Sequence, residues 1–529
     1  MKKNLKWLLL VSLTFMACNS DDEAVVADSS DGAPLTAGTA NFSKYVALGN
    51  SLTSGFSDGA LFKRGQEGAY TNIMAQQFKL VGGGDFKIPY TNDNVGGLLF
   101  GGQVNPAFGP RLYFNSSVSA THPSPTVDPV SGVSTTEVFN AAVAGGGPYN
   151  NTGVPGAKSF HLLSPTYGAA AGLANGTANP YYVRFAPNGT TSVLAYAMSQ
   201  TPTFFSLWIG NNDVLGYATS GGDGSNPITP VTGAPGVGFD GTYGALVTTL
   251  TSSGAKGVVA NIPYVTSIPF FKTVPHNPLS VSLLGAGNTA VGVATVNALN
   301  AQLYGPLKNA LTFFGAGDRI NLLSTTASNP LLIKDESLTN LSAQLTAAFT
   351  PTLGAQTAAF YGAVFGQARQ ATSSDLILLT TQSAIGKAPT AANSGVGFAP
   401  PAPLDKFGIT YPLQDKFVLI PTEVAELKIA TDSYNAIIRS LADSKGLAFV
   451  DANAFLGEID NGGIPANGYT LTSTFIFGGT FSLDGIHPSP RGYAFIANKF
   501  IEAINKKYGS NLKGVNVGNY QNLYPASLP

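Results

Sequence analysis

Cysteine and charge are what this chain has least of. Its 529 residues include one cysteine, Cys18, so no disulfide can form within it. The four histidines, His122, His161, His276 and His487, are scattered without the spacing of a Cys/His ligand set, and no metal or other cofactor is expected. Charged residues make up 11% and the net charge is −1, which leaves no basic field for nucleic acid and no acidic field for cationic partners. Only two tryptophans, Trp7 and Trp208, offer indole platforms for sugars, against 21 tyrosines. The stretch Leu5 to Phe15 is apolar but falls short of the roughly 20 residues a spanning helix needs. What is abundant is glycine (62) and proline (34), with much Ser, Thr and Asn, a composition that points to a loop-rich exported protein.

The N-terminus agrees with export. Lys2-Lys3, the apolar stretch and Met16-Ala17-Cys18 form a basic region, a short apolar region and a cut site. The arrangement resembles a bacterial lipoprotein signal, which implies removal of residues 1–17 and lipidation of Cys18. The acidic run Asn19 to Glu23 is similar to the export signal of Bacteroidetes-type surface lipoproteins. Residues 18–40 have too little apolar surface to fold and read as a flexible acidic tether. The expectation is an outer-membrane lipoprotein, exposed at the cell surface and held to the membrane by its lipid.

Four short stretches carry the chemistry. Tyr45 to Leu48 is a strand-length apolar run that stops on Gly49-Asn50, placing Ser51 just beyond the strand. Thr203 to Ile209 is a second such run and ends in Gly210-Asn211-Asn212-Asp213. Between them, Val154-Pro155-Gly156-Ala157 sets a glycine where a backbone N–H can approach a ligand closely. Near the end, Asp484-Gly485-Ile486-His487 precedes a helix with Ser489 as N-cap and Pro490 as its first residue, and an aspartate three residues before a histidine can orient the imidazole. Helical spacing is read at 67–81, 241–253, in part of 288–313 (Val291, Ala294, Leu299, Leu303 and Leu307), and at 422–445, with strands at 257–262 and 447–451. Strands alternating with helices make an α/β fold. His122 reads as a solvent-facing loop residue and His161 as a packing or capping residue.

The order Ser, Gly, Asn, Asp-x-x-His resembles the SGNH (GDSL-type) esterases and lipases. That resemblance implies a flavodoxin-like three-layer sandwich with a central parallel sheet, spanning 41–513 and followed by a tail at 514–529. Large insertions are expected near 82–135, 165–200, 215–240 and 310–421, the last a lid or small subdomain. It further implies Ser51 as nucleophile, His487 as general base and then acid, and Asp484 as the group holding the imidazole. The oxyanion hole would combine the Ser51 and Gly156 N–H groups with the Asn212 side chain. The expected activity is hydrolysis of lipid or acylated-glycan esters through an acyl-enzyme; the alternative is a non-catalytic ligand-binding lipoprotein on the same fold. One departure stands out, because Asn50 occupies the position of the family's usual aspartate.

Overall fold

The computed structural model describes residues 32–118 and 124–529; Cys18, the signal, the first part of the tether and His122 lie outside them. Five parallel strands form the centre: β1 (Tyr45–Gly49), β2 (Asn151–Gly153), β3 (Phe204–Trp208), β4 (Lys256–Ala260) and β5 (Ala448–Val450). Their order across the sheet is β2-β1-β3-β4-β5. Strands covered on both faces are mostly apolar, and the runs in β1 and β3 are buried throughout, the one polar side chain of β3, Ser206, hydrogen-bonding Tyr45 at 2.7 Å. Edge strand β2 is different. Its Asn-Thr-Gly sequence has no apolar signal, and it is held by side chains: Thr152 Oγ1 donates to the Ala47 carbonyl at 2.8 Å and Asn151 Nδ2 to that of Thr53 at 2.9 Å.

Helices cover the sheet: α1 (Ser51–Ser54), α2 (Tyr70–Lys79), α3 (Asn211–Thr219), α4 (Phe239–Thr251), α5 (Pro421–Ser444) and α6 (Pro490–Tyr508). In α2 the residues Tyr70, Ile73, Met74 and Phe78 are buried, as their spacing predicts. Tyr70 lies 4.7 Å from the Phe500 ring of α6, and both meet Trp208 of β3. Phe239 of α4 stacks on Tyr434 of α5 at 4.1 Å. The result is an α/β protein with a helix-flanked parallel sheet, compatible with three layers. No helix among the described residues is long and apolar enough to cross a membrane.

The connection from β4 to β5 contains a second hydrophobic core, which runs from Val274 to Ile420. It therefore takes in the helical stretch at 288–313 as well as the expected insertion at 310–421. In the helix Thr289–Leu299 the buried residues are Gly292 and Val296, while Val291 is 52% exposed and Ala294 is also exposed. This helix is apolar on every side, so spacing alone cannot choose its face. Backbone proximity does: a Cβ on Gly292 would lie 1.9 Å from the Val281 carbonyl oxygen. Within this lobe Arg369 bridges two largely buried carboxylates, Asp335 at 2.5 Å and Asp375 at 2.6 Å.

Two other regions behave differently from plain insertions or a loose tail. Helix α3 extends to Thr219, so the irregular stretch expected from 215 begins after it. Residues 524–529 strap back over the body. The buried Arg111 guanidinium donates to the carbonyls of Pro525 and Ala526, and Tyr524 packs edge-on against Phe62.

Candidate active site

Ligands of doubly wound sheets collect beyond the carboxyl ends of the strands, at the point where the strand order reverses. Here that point lies between β1 and β3. Ser51 is the first residue of α1, immediately after β1, and is 7% exposed. Asn50 caps α1, its Oδ1 accepting the Leu52 N–H at 3.1 Å. Its Nδ2 donates to Asn211 Oδ1 at 3.3 Å, a bond that an aspartate at 50 could not donate.

His487 comes to the same place from the other end of the chain. Its Nε2 is 2.8 Å from Ser51 Oγ, and its Nδ1 is 2.7 Å from Asp484 Oδ2. An ionised carboxylate can only accept, so Nδ1 carries the hydrogen and the lone pair of Nε2 faces the serine hydroxyl. The loop is anchored from both sides. Ser489 Oγ accepts the Gly492 N–H at 3.0 Å to cap α6, and the Gly485 carbonyl accepts the Phe270 N–H at 3.0 Å. The Phe56 ring packs on the imidazole with centroids 4.6 Å apart.

Asp484 is saturated with donors. Oδ1 accepts from Ser482 Oγ at 3.0 Å and from the Ile486 and His487 N–H groups at 2.9 Å each; Oδ2 accepts from the Gly59 N–H at 3.0 Å as well as from the imidazole. Burial alone would raise this carboxyl, but the His487 charge and these hydrogen bonds outweigh it and hold it at about 2. Behind it sits a second carboxyl, Asp58, which is 1% exposed. The Leu483 N–H donates to its Oδ1 at 3.0 Å, and its own N–H donates to Ser482 Oγ at 2.9 Å. Its Oδ2 has no hydrogen-bond partner among the described residues. Burial pushes Asp58 up to about 7; the Leu483 N–H, Arg111 and His487 pull the other way and Asp484 adds to the rise.

Three consecutive residues after β3 fasten three neighbouring segments together. Asn211 accepts from Asn50; Asn212 Nδ2 donates to the Ala157 carbonyl at 2.9 Å; Asp213 accepts from the Ser159 N–H at 2.8 Å and hydroxyl at 2.6 Å. Asn212 lines a pocket together with Ser51 and His487. Its amide has two hydrogens and only one is taken by Ala157. Gly156 is exposed with φ of +80°, a backbone conformation that favours glycine. Neither its N–H nor that of Ser51 donates a hydrogen bond among the described residues. Ser51, His487 and Asp484 are thus brought into one chain of hydrogen bonds, with Asn212 beside them and Gly156 on the loop that Asn212 holds.

The other described histidines take no part. His161 Nδ1 accepts the Lys158 N–H at 3.0 Å and its ring stacks on Tyr167 at 4.5 Å, and burial, aided by Lys158, lowers it to about 4. Sequence reasoning did not find Asp58, Gly59, Ser482, Asn211 or Asp213. For Asn211 and Asp213 the signal is adjacency, since both lie within the stretch that carries Asn212, and Ser482 stands two residues before Asp484. Asp58-Gly59 reads only as a turn, although it follows the serine closely.

No protein-family model matches this chain, and comparison with curated proteins and with solved structures also finds no match.

Proposed function

We propose that the chain is a serine ester hydrolase of the SGNH type. The observation that carries this reading is the continuous path Asp484–His487–Ser51, with contacts of 2.7 and 2.8 Å, opening on a pocket that Asn212 also lines. The strand order supports it, being that of flavodoxin-like sheets.

In this mechanism Ser51 Oγ attacks the ester carbonyl carbon while His487 Nε2 takes its proton. The carbonyl oxygen becomes an oxyanion, which the Ser51 and Gly156 N–H groups and the Asn212 amide stabilise. Collapse breaks the bond to the alcohol, which leaves with the proton from Nε2. Water then attacks the acyl-serine, giving one proton to Nε2; that proton returns to Ser51 Oγ as the acid departs. Asp484 stays ionised throughout and stabilises the imidazolium. The chemistry needs no metal.

The proposed substrates are esters of lipids or acylated glycans. The proposed location is the outer-membrane surface, reached by the Cys18 lipid anchor. Turnover of p-nitrophenyl acetate by the full chain tests the activity. The reading requires the rate to fall by about 10³-fold or more in folded Ser51→Ala; equal turnover by both proteins would reject it and favour a binding protein on the same fold.

A further inference from the structure

Ser482, Leu483 and Asp484, three consecutive residues of the histidine loop, are each held by one two-residue turn. Ser57 and Ala60 exchange backbone hydrogen bonds at 3.1 and 3.0 Å, and between them Asp58 and Gly59 have φ of +50° and +78°. Positive φ at both central positions is the pattern of a type I′ turn, which an Asp-Gly pair suits. The turn reaches the loop three times. The Asp58 N–H donates to Ser482 Oγ at 2.9 Å, and that hydroxyl donates onward to Asp484 Oδ1 at 3.0 Å; the Leu483 N–H donates to Asp58 Oδ1 at 3.0 Å; the Gly59 N–H donates to Asp484 Oδ2 at 3.0 Å. On the far side of the histidine, the Pro488 carbonyl accepts from Ser57 Oγ at 3.1 Å.

The hold on Leu483 is the one that depends on the Asp58 side chain, which is 1% exposed. Because Oδ1 accepts from Leu483, a proton on this carboxyl sits on Oδ2, the oxygen without a partner among the described residues. The ionisable groups facing it are Asp484 and His487 on the histidine loop, Arg111 beside the strand Leu112–Asn115, and Tyr524 on the C-terminal strap. Arg111 directs its donors to the carbonyls of Asn94, Leu112, Pro525 and Ala526 instead of to Asp58. A neutral carboxyl therefore satisfies Leu483 without opposing Asp484. An ionised one sets an unpartnered charge in the interior beside a like charge, a cost that displacement of the loop relieves.

Resting on the ester-hydrolase reading, we infer that Asp58 is a positioning residue of the reaction: neutral, it clamps the loop that carries Asp484, and ionised, it opposes Asp484 and loosens that clamp. It touches neither substrate nor Ser51 and acts through the aim of the imidazole.

The test measures kcat and KM of the full chain on p-nitrophenyl acetate from pH 6 to pH 9 for wild type, Asp58→Asn and Asp58→Gly. Asparagine keeps the acceptor for Leu483 and cannot ionise; glycine removes it while suiting the φ of +50°. Asp58→Asn is expected within about three-fold of the wild-type kcat at pH 6, and Asp58→Gly to lose about 10- to 10²-fold in kcat with KM little changed. His487 titrates in both proteins, so the ratio of Asp58→Asn to wild-type kcat isolates Asp58, and it rises by about three-fold or more between pH 6 and pH 9. A level ratio overturns the inference, as does an equal loss in both variants or a loss confined to KM; should Asp58→Gly fail to fold, the ratio decides alone. Labelling of Ser51 by a fluorophosphonate separates the two levels. Wild type that labels at Ser51 while the variants miss these outcomes removes only the role of Asp58; folded wild type with neither label nor turnover removes the hydrolase reading and this inference together.

Discussion

The Gly59 N–H and the His487 imidazole donate to the same oxygen, Oδ2 of Asp484, at 3.0 and 2.7 Å. A residue eight positions after Ser51, the proposed nucleophile, therefore helps orient the carboxylate that orients the imidazole. Oδ2 is held from two directions, which fixes the imidazole plane and its tautomer. Asp484→Asn keeps the shape but replaces an acceptor with an amide whose orientation is no longer dictated. The expected result is a kcat loss of about 10³- to 10⁴-fold with KM changed little, read from steady-state kinetics on a small ester. A loss confined to KM would place Asp484 in substrate binding instead.

Asn212→Ala removes the proposed oxyanion donor and the brace to the Ala157 carbonyl. The expected loss in kcat is about 10²- to 10³-fold, with a smaller change in KM. Equal weakening of binding with unchanged turnover would make Asn212 a substrate contact.

Asp58 gives the protein a distinctive pH response. Its carboxyl, raised from 3.8 to about 7, stays protonated in the folded chain where the unfolded chain has released the proton. Stability from this group is full below about pH 4 and is lost as pH rises through 7, with a total on the order of 2–4 kcal/mol. Asp484 acts in the opposite sense. Lowered from 3.8 to about 2, it contributes roughly 2 kcal/mol above pH 4, which is lost as pH falls through 2. Denaturant midpoints for wild type and Asp58→Asn should therefore diverge between pH 4 and pH 8, with the variant the more stable at pH 8. Parallel curves would show that Asp58 does not titrate in that window.

Arg369→Ala leaves the carboxylates of Asp335 and Asp375 without their shared cation in the second core. Breaking a buried pair from one side costs about 3–5 kcal/mol. Because the two cores are distinct, amide exchange should accelerate in Leu332–Lys334 and Ala368–Gln370 while β1 and β3 remain protected. Uniform acceleration throughout the chain would mean that the cores unfold as one.

The sequence revealed most where one segment satisfied its own requirements. The buried runs of β1 and β3 announce strands because both faces are covered, and Ser489-Pro490 announces α6 through its own cap. Strand β2 gave no such sign, since polar Asn151 and Thr152 are buried only because distant carbonyls accept from them. Asp58 was illegible for the same reason: its partners, Leu483 and Ser482, lie more than 400 residues away in the chain. The second core escaped an accurate boundary in part because the helix Thr289–Leu299 is apolar on all sides and carries no preferred face. Asn50 could be read as a departure from the family pattern, but its pairing with Asn211 requires the two loops to be seen together.

The central claim is that Ser51 is an activated nucleophile. Intact-mass analysis of the full chain after incubation with a fluorophosphonate, beside Ser51→Ala and His487→Ala, tests it most directly. The account predicts one stoichiometric adduct on the wild type, none on Ser51→Ala, and labelling slowed by about 10³-fold or more on His487→Ala. An adduct that persists in Ser51→Ala, or a folded wild-type chain that takes none, would contradict it.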